Sequence, residues 1–227
     1  MLGAIFKLSY NKGISDAVGG ICGSCLFINP NYIVTANHVL NKSNFKPNDN
    51  YKYCQYWVLS KDFIHEIFPE YFKESQETDL TLIKNLKKDE EIISYKISKK
   101  YSVGTECYNV GFMAEDMPNF NKEWGENKIV INKCHNLEDL KKLSEGKIIS
   151  INNGIVNAND IKIKNKKLIV CGYGGYEGMS GGPLIKKDSG EIIGMMSFGL
   201  PPDNKIKNKL FAVSIDEILK VVEEILI

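Results

Sequence analysis

Three short runs carry residue types that together can perform acyl transfer. Gly178-Met-Ser180-Gly-Gly-Pro183 places a serine between glycines on a tight turn. Such a turn exposes the hydroxyl and lets backbone N–H groups converge beside it, so the amides of Gly178 and Ser180 could cradle an oxyanion. Thr35-Ala-Asn-His38-Val puts a histidine at the end of an apolar run. A serine hydroxyl attacks poorly until a base takes its proton, and imidazole is the side chain matched to that task near neutral pH. Thr78-Asp79-Leu-Thr-Leu-Ile83 opens a strand with a carboxylate that could accept the second ring N–H and fix the tautomer. Singly, each run also reads as plain structure: a glycine turn, an ordinary histidine, a cap residue. The other histidines, His65 and His135, stand at no comparable strand end.

Positioning these groups requires a scaffold. Most of the chain alternates short apolar runs with turn residues, which predicts an all-β fold. Cys25–Ile28, the turn cluster Asn29-Pro30-Asn31 and Tyr32–Thr35 predict a hairpin. Further strands are predicted at Tyr56–Leu59, Leu80–Ile83, Glu106–Val110, Lys128–Ile131, Ile148–Ile151, Leu168–Cys171, Pro183–Ile185, Ile192–Ser197 and Leu210–Val213. Two segments break the pattern. Asn136-Leu-Glu-Asp139 predicts a short helix through about Leu143, stopped by Gly146. Ser214-Ile-Asp-Glu217 is a capping box, and the apolar spacing of Ile215, Ile218, Leu219 and Val222 predicts an amphipathic helix over 214–227 packed on the body. The charged stretch Lys84–Lys100 predicts a solvated linker between residues 1–95, which hold His38 and Asp79, and residues 96–227, which hold Ser180. Residues 112–147 read as an elaborated surface excursion.

Composition narrows the partners. The chain has 227 residues, 43% of them hydrophobic, enough for one large or two small domains. Its 29 basic residues face 28 acidic ones, so nothing electrostatic argues for nucleic acid or an anionic membrane. Every basic residue is lysine and none is arginine, which genome base composition accounts for. No window approaches the roughly 18 apolar residues of a membrane-spanning helix, and the first residues lack an apolar run of signal-peptide length. The expectation is a soluble protein. Cys22-Gly-Ser-Cys25 has the spacing of a metal knuckle, but no second Cys/His pair follows it, so neither metal nor cofactor is expected.

Taken in order, His38, Asp79 and Ser180 resemble the chymotrypsin and trypsin-like serine peptidases. Thr35-Ala-Asn-His38 looks like the family's Thr-Ala-Ala-His, Asp79-Leu-Thr-Leu-Ile like its Asp-Ile-Ala-Leu-Leu, and Gly178-Met-Ser-Gly-Gly-Pro183 like its Gly-Asp-Ser-Gly-Gly-Pro. Gly23-Ser-Cys-Leu-Phe and Gly194-Met-Met-Ser197-Phe-Gly199 resemble two of its strands. The resemblance implies two perpendicular six-stranded β-barrels followed by a C-terminal helix, with the site in the cleft between them. It implies a serine endopeptidase acting on polypeptides through a His38, Asp79, Ser180 triad and an acyl-enzyme. By position it also implies that Ser197, Phe198 and Gly199 form the edge strand that pairs with substrate. Gly174 would then be the base of a neutral, open specificity pocket for an apolar residue, and Gly199 one wall. Glu177 at the rim and Asp203 on a nearby loop leave a basic side chain open as the other choice.

Several positions depart from the secreted members. Met179 stands where those have an aspartate that pairs with a newly cut N-terminus, a trait shared with the HtrA group. Val39 and Tyr176 stand where cysteines of family disulfides would be, so the cysteines point to a reducing, cytoplasmic setting. A restricted protein substrate, in regulation or defence, suits that setting. The alternative is a catalytically silent or partner-activated peptide-binding module on the same fold.

Overall fold

The computed structural model describes residues 1–11, 15–61, 63–86, 95–114, 116–125, 128–158, 161–200 and 208–226. Its first half is one antiparallel sheet of β1 (Leu2–Tyr10), β2 (Val18–Asn29), β3 (Tyr32–Ala36), β4 (Tyr53–Leu59), β5 (Ile64–Ile67), β6 (Phe72–Ser75) and β7 (Leu80–Lys84). These seven strands run in the order β5, β4, β1, β2, β3, β7, β6. The second half contains β8 (Glu106–Phe112), a hairpin of β9 (Phe120–Trp124) and β10 (Ile129–Cys134), then β11 (Lys141–Ala158), β12 (Ile161–Cys171), β13 (Pro183–Lys186), β14 (Ile192–Leu200) and β15 (Lys209–Ser214). Strands β11, β12, β15, β14, β13 and β8 close into a barrel.

The all-β expectation therefore holds, and the second half has six barrel strands. The first half differs from the six strands expected. It has seven, and its outer strands β5 and β6 do not pair with each other among the described residues. Strands β1, β5 and β6 lie outside the runs expected from the sequence, and β1 enters between β4 and β2. Its period-2 pattern splits two cores: Ile5 joins Phe27, Ile33 and Leu80 on one face, while Leu2, Ala4, Phe6 and Leu8 join Trp57, Ile129 and Ile131 on the other.

That second core corrects two expectations. The 112–147 region is a covering layer for β1 rather than a surface excursion, because Ile129, Ile131 and Leu137 are buried against Phe6 and Trp57. The side chain of Gln55 on β4 fastens it, donating to the Ile129 carbonyl at 3.0 Å and accepting the Ile129 N–H at 3.2 Å. The helix expected from Asn136 to Leu143 is a single 3₁₀ turn, Leu137–Leu140, that runs straight into β11. Asn136 makes no side-chain cap, since its Oδ1 accepts the Asn119 N–H at 2.6 Å instead. From Lys141 to Lys147 the chain pairs with β8, and Gly146 lies opposite Cys107 within that ladder. Long-range pairing overrides the local helical preference.

The other expected strands form, several of them longer than their apolar runs. The C-terminal helix, α1 (Ile215–Leu226), also forms, with the Glu217 N–H on the Ser214 hydroxyl. It seats Ile215, Ile218, Val221 and Val222 against Ile192 and Val213. The middle of the predicted linker, residues 87–94, lies outside the described residues, as do Asp203 and Ile227. Beyond that linker, Lys96 and Ser98 hydrogen-bond the backbone of Ile192 in the barrel.

Candidate active site

Strand pairing brings the histidine and the aspartate together. Ala36, the last residue of β3, pairs with Leu80, the first of β7. The chain leaving one strand and the chain entering the other thus emerge at the same edge, and Asn37 N donates to the Asp79 carbonyl at 3.1 Å. Asp79 sits in the left-handed region at φ 50°, where a short polar side chain is among the few tolerated. This geometry turns its carboxylate onto His38. Nδ1 of His38 lies 2.9 Å from Oδ2 and 3.1 Å from Oδ1, and the His38 backbone N–H donates to Oδ1 at 3.0 Å.

The carboxylate is 2% exposed and the imidazole 21%. A buried carboxylate without donors would carry a large desolvation cost. Asp79 has a further donor from the other half of the molecule, the Ser197 hydroxyl, which bonds Oδ2. A bulge makes this possible. Met196 pairs with Ala212 and Phe198 with Phe211, so Ser197 is the extra residue of β14 and is freed from the ladder. Its carbonyl accepts the Ser180 hydroxyl at 2.8 Å. Ser197 therefore links the His38–Asp79 pair, through its hydroxyl, to Ser180, through its carbonyl.

Ser180 stands in the turn-rich segment between β12 and β13. Two glycines there are required by space as well as by φ. A β-carbon on Gly178 (φ +92°) would lie 2.4 Å from Ala114 N, and one on Gly181 (φ +88°) 2.0 Å from the Ser24 carbonyl oxygen. The segment is clamped from β2 and from the chain after β8. Ser24 Oγ donates to the Gly178 carbonyl at 2.9 Å and accepts the Phe112 N–H at 2.9 Å, while Ser24 N donates to the Ser180 carbonyl at 2.8 Å. Ala114 N takes the Glu177 carbonyl at 2.9 Å, and Gly182 N takes that of Met179 at 2.9 Å. Because a trans peptide points its C=O and N–H in opposite directions, these bonds turn the N–H groups of Gly178 and Ser180 to the other side of the loop. Neither N–H has an acceptor among the described hydrogen bonds.

Met179, at the position where an acid would await an ion pair, is fully buried with Cys107, Ile169, Leu184 and Met196. Its sulfur accepts the Tyr176 N–H at 3.3 Å. The loop is thus ordered by apolar burial and by Ser24.

The remaining expected site residues fall on two walls. Gly174 abuts Asn208, where a β-carbon would lie 3.2 Å from the Asn208 Cβ, and Glu177 is exposed at the rim. Phe198, 9% exposed, stacks on Phe211 at 4.6 Å and 7°. Gly199 is exposed. The Met196 side chain reaches in beside Gly175, where a β-carbon would lie 2.5 Å from its methyl. Sequence reasoning missed Met196, Ser24 and the carboxylate-binding hydroxyl of Ser197. The motif Gly23-Ser-Cys was in view, but the target of the serine lies 154 residues away.

The other candidates lie elsewhere. His65 is on β5 beside Phe63, and His135 Nε2 lies 3.1 Å from Asn121 Oδ1 on the hairpin. Among the described residues no group of three or more histidine, cysteine, aspartate and glutamate side chains could hold a metal ion. All six cysteines are free thiols, and among the described residues no helix is long and apolar enough to cross a membrane.

Solved structures share this fold. The active form of the Rv3671c protease from M. tuberculosis superposes with a TM-score of 0.64 at 13% identity, covering 98% of this chain and 80% of that one. Its inactive form gives 0.61 at 15% identity, covering 98% and 88%. The HtrA-type protease AlgW, solved with a decapeptide, gives 0.62 at 16% identity, covering 99% of this chain and 64% of AlgW. No curated protein matches the chain. Residues 23–195, well over half the chain, match the family model described as the trypsin-like peptidase domain. That span takes in His38, Asp79 and Ser180, and the chain belongs to the trypsin-like peptidase domain family, as a serine-type endopeptidase.

Proposed function

We propose that His38, Asp79 and Ser180 are the catalytic triad of this endopeptidase. The observation that carries the reading is that Asp79 hydrogen-bonds His38, while Ser197 ties Asp79 through its hydroxyl and Ser180 through its carbonyl. Asp79 holds the ring N–H on Nδ1, which leaves the Nε2 lone pair as the base. The Ser180 hydroxyl turns from the Ser197 carbonyl to Nε2, its oxygen attacks the scissile carbonyl carbon, and the proton passes to His38. The carbonyl oxygen becomes the oxyanion and takes the N–H groups of Gly178 and Ser180. Collapse breaks the C–N bond, His38 protonates the departing amine, and a water activated by His38 then hydrolyses the Ser180 ester. Nothing in these steps needs a metal or cofactor.

The site lies where residues 1–95 and 96–227 meet, as in a two-barrel peptidase. The substrate is a polypeptide, laid along Ser197–Gly199, with Gly174 and Glu177 on the opposite side. Six free thiols support a reducing, cytoplasmic setting, and there a restricted protein substrate is the reading consistent with an enzyme that bears no Asp at position 179. A partner-activated form draws on one observation, that the resting Ser180 proton is committed to the Ser197 carbonyl. Hydrolysis of an unfolded protein substrate, followed by gel and by mass spectrometry of the fragments, tests the proposal. Turnover by the native chain and none by Ser180→Ala is expected; equal turnover by both would overturn it.

A further inference from the structure

We propose that Met196 plugs the primary side-chain pocket and makes the enzyme select substrates with glycine, alanine or serine on the acyl side of the cleaved bond. The inference rests on Ser180 as nucleophile and on the walls named above. It replaces the open apolar pocket with a closed one.

Two measures of space lead to it. A β-carbon on Gly175 would lie 2.5 Å from the Met196 methyl and 3.1 Å from its sulfur. The thioether therefore occupies the ground that the missing Gly175 side chain leaves free, and Met196 is 2% exposed there. The second measure is the distance between the walls. A β-carbon on Gly199 would lie 3.6 Å from Gly175 N and 3.9 Å from the Met196 methyl. Adding a bond of about 1.5 Å, Gly199 Cα and Gly175 N are no more than about 5 Å apart. A flat ring slotted between two walls needs about 7 Å, roughly 3.5 Å of contact distance on each side. At that pinch a flat ring is excluded with or without Met196, so the plug itself acts on the aliphatic side chains: leucine and lysine are blocked while Met196 stays, whereas a methyl or hydroxymethyl group rests at the mouth.

The surroundings explain why the plug stays. Met196 belongs to the buried cluster with Met179, Leu210 and Ile148, so moving it exposes apolar surface. Methionine is also the apolar side chain that best fills an irregular gap. Truncating it to alanine removes the Cγ, Sδ and Cε atoms and converts the plug into a pocket lined by Gly175, Gly199 and Leu210.

The test is a series of peptides identical except for the residue before the cleaved bond: glycine, alanine, serine, leucine, phenylalanine and lysine. For the native chain, kcat/KM for alanine is expected to exceed that for phenylalanine by about 100-fold or more. In Met196→Ala, and in the milder Met196→Val, the ratio of alanine to leucine should fall at least tenfold because leucine improves, while phenylalanine stays poor. The native ranking needs no variant, so it stands even where a variant misfolds. Labelling of Ser180 by a small alkyl fluorophosphonate is measured on every sample. Labelling together with leucine or phenylalanine favoured by the native chain overturns the plug alone. No labelling and no cleavage overturn the peptidase reading itself, and the plug with it.

Discussion

Asp79 and Ser180 hydrogen-bond the two ends of Ser197, its hydroxyl and its carbonyl, and are held in place by different means. Asp79 is fixed by side-chain chemistry: a left-handed backbone, the ring and backbone N–H of His38, and the Ser197 hydroxyl converge on one buried carboxylate. Ser180 is fixed by backbone chemistry. Two positive-φ glycines and the carbonyls of Glu177, Gly178, Met179 and Ser180 are tied to donors on Ala114, Ser24 and Gly182. The difference follows from what each end must do. A carboxylate that orients an imidazole needs donors on its own oxygens, whereas a loop that must offer two free N–H groups has to occupy its carbonyls elsewhere.

Breaking the first end should cost most. Asp79→Asn keeps the shape but reverses the preferred tautomer of His38, and kcat should fall by about 10⁴, measured on a peptide ester with folding checked by thermal melting. Breaking the second end should cost less. Ser24→Ala leaves the Gly178 carbonyl and the Phe112 N–H unsatisfied, at about 1–3 kcal/mol each. A fall of about 10- to 100-fold in kcat is expected, with KM for a small substrate little changed. If KM rises and kcat holds, Ser24 supports binding and not the oxyanion loop.

Ser197→Ala touches both ends, because its hydroxyl binds Asp79 while its carbonyl remains for Ser180. Loss of one charge-assisted hydrogen bond, about 1.5 kcal/mol, corresponds to roughly a tenfold drop in kcat. Restoration by Ser197→Thr would separate positioning of the carboxylate from mere packing.

Much of this contrast was legible in the sequence, and the illegible part has a common cause. His38, Asp79 and Ser180 announced themselves through local runs, and the strands flanking them through period-2 patterns. The tie from Ser197 to Asp79 spans 118 residues and depends on a bulge that no local pattern encodes. The Met196 plug arises where Gly175 approaches Gly199 across two separate elements. The predicted 136–143 helix failed for the same reason, its local cap signal losing to the ladder with β8.

The smallest expected effect concerns the strand that carries Ser24. Burial pushes the Cys22 thiol on β2 up to about 11. The unfolded chain releases that proton from about pH 8.5, while the folded chain keeps it, so the Cys22 contribution to stability is whole below pH 8.5 and is lost as pH rises toward 11. Melting temperatures measured from pH 7 to 11 should fall less steeply for Cys22→Ser than for the native chain; parallel curves would show that the thiol plays no part.

The central claim is that Ser180 is a nucleophile activated by His38 and Asp79. Intact-protein mass spectrometry after incubation with an alkyl fluorophosphonate tests it most directly. The account predicts a single phosphonyl adduct located on Ser180, absent from Ser180→Ala and at least a thousandfold slower in His38→Ala. An unmodified native chain, or equal labelling of native and Ser180→Ala proteins, would contradict it.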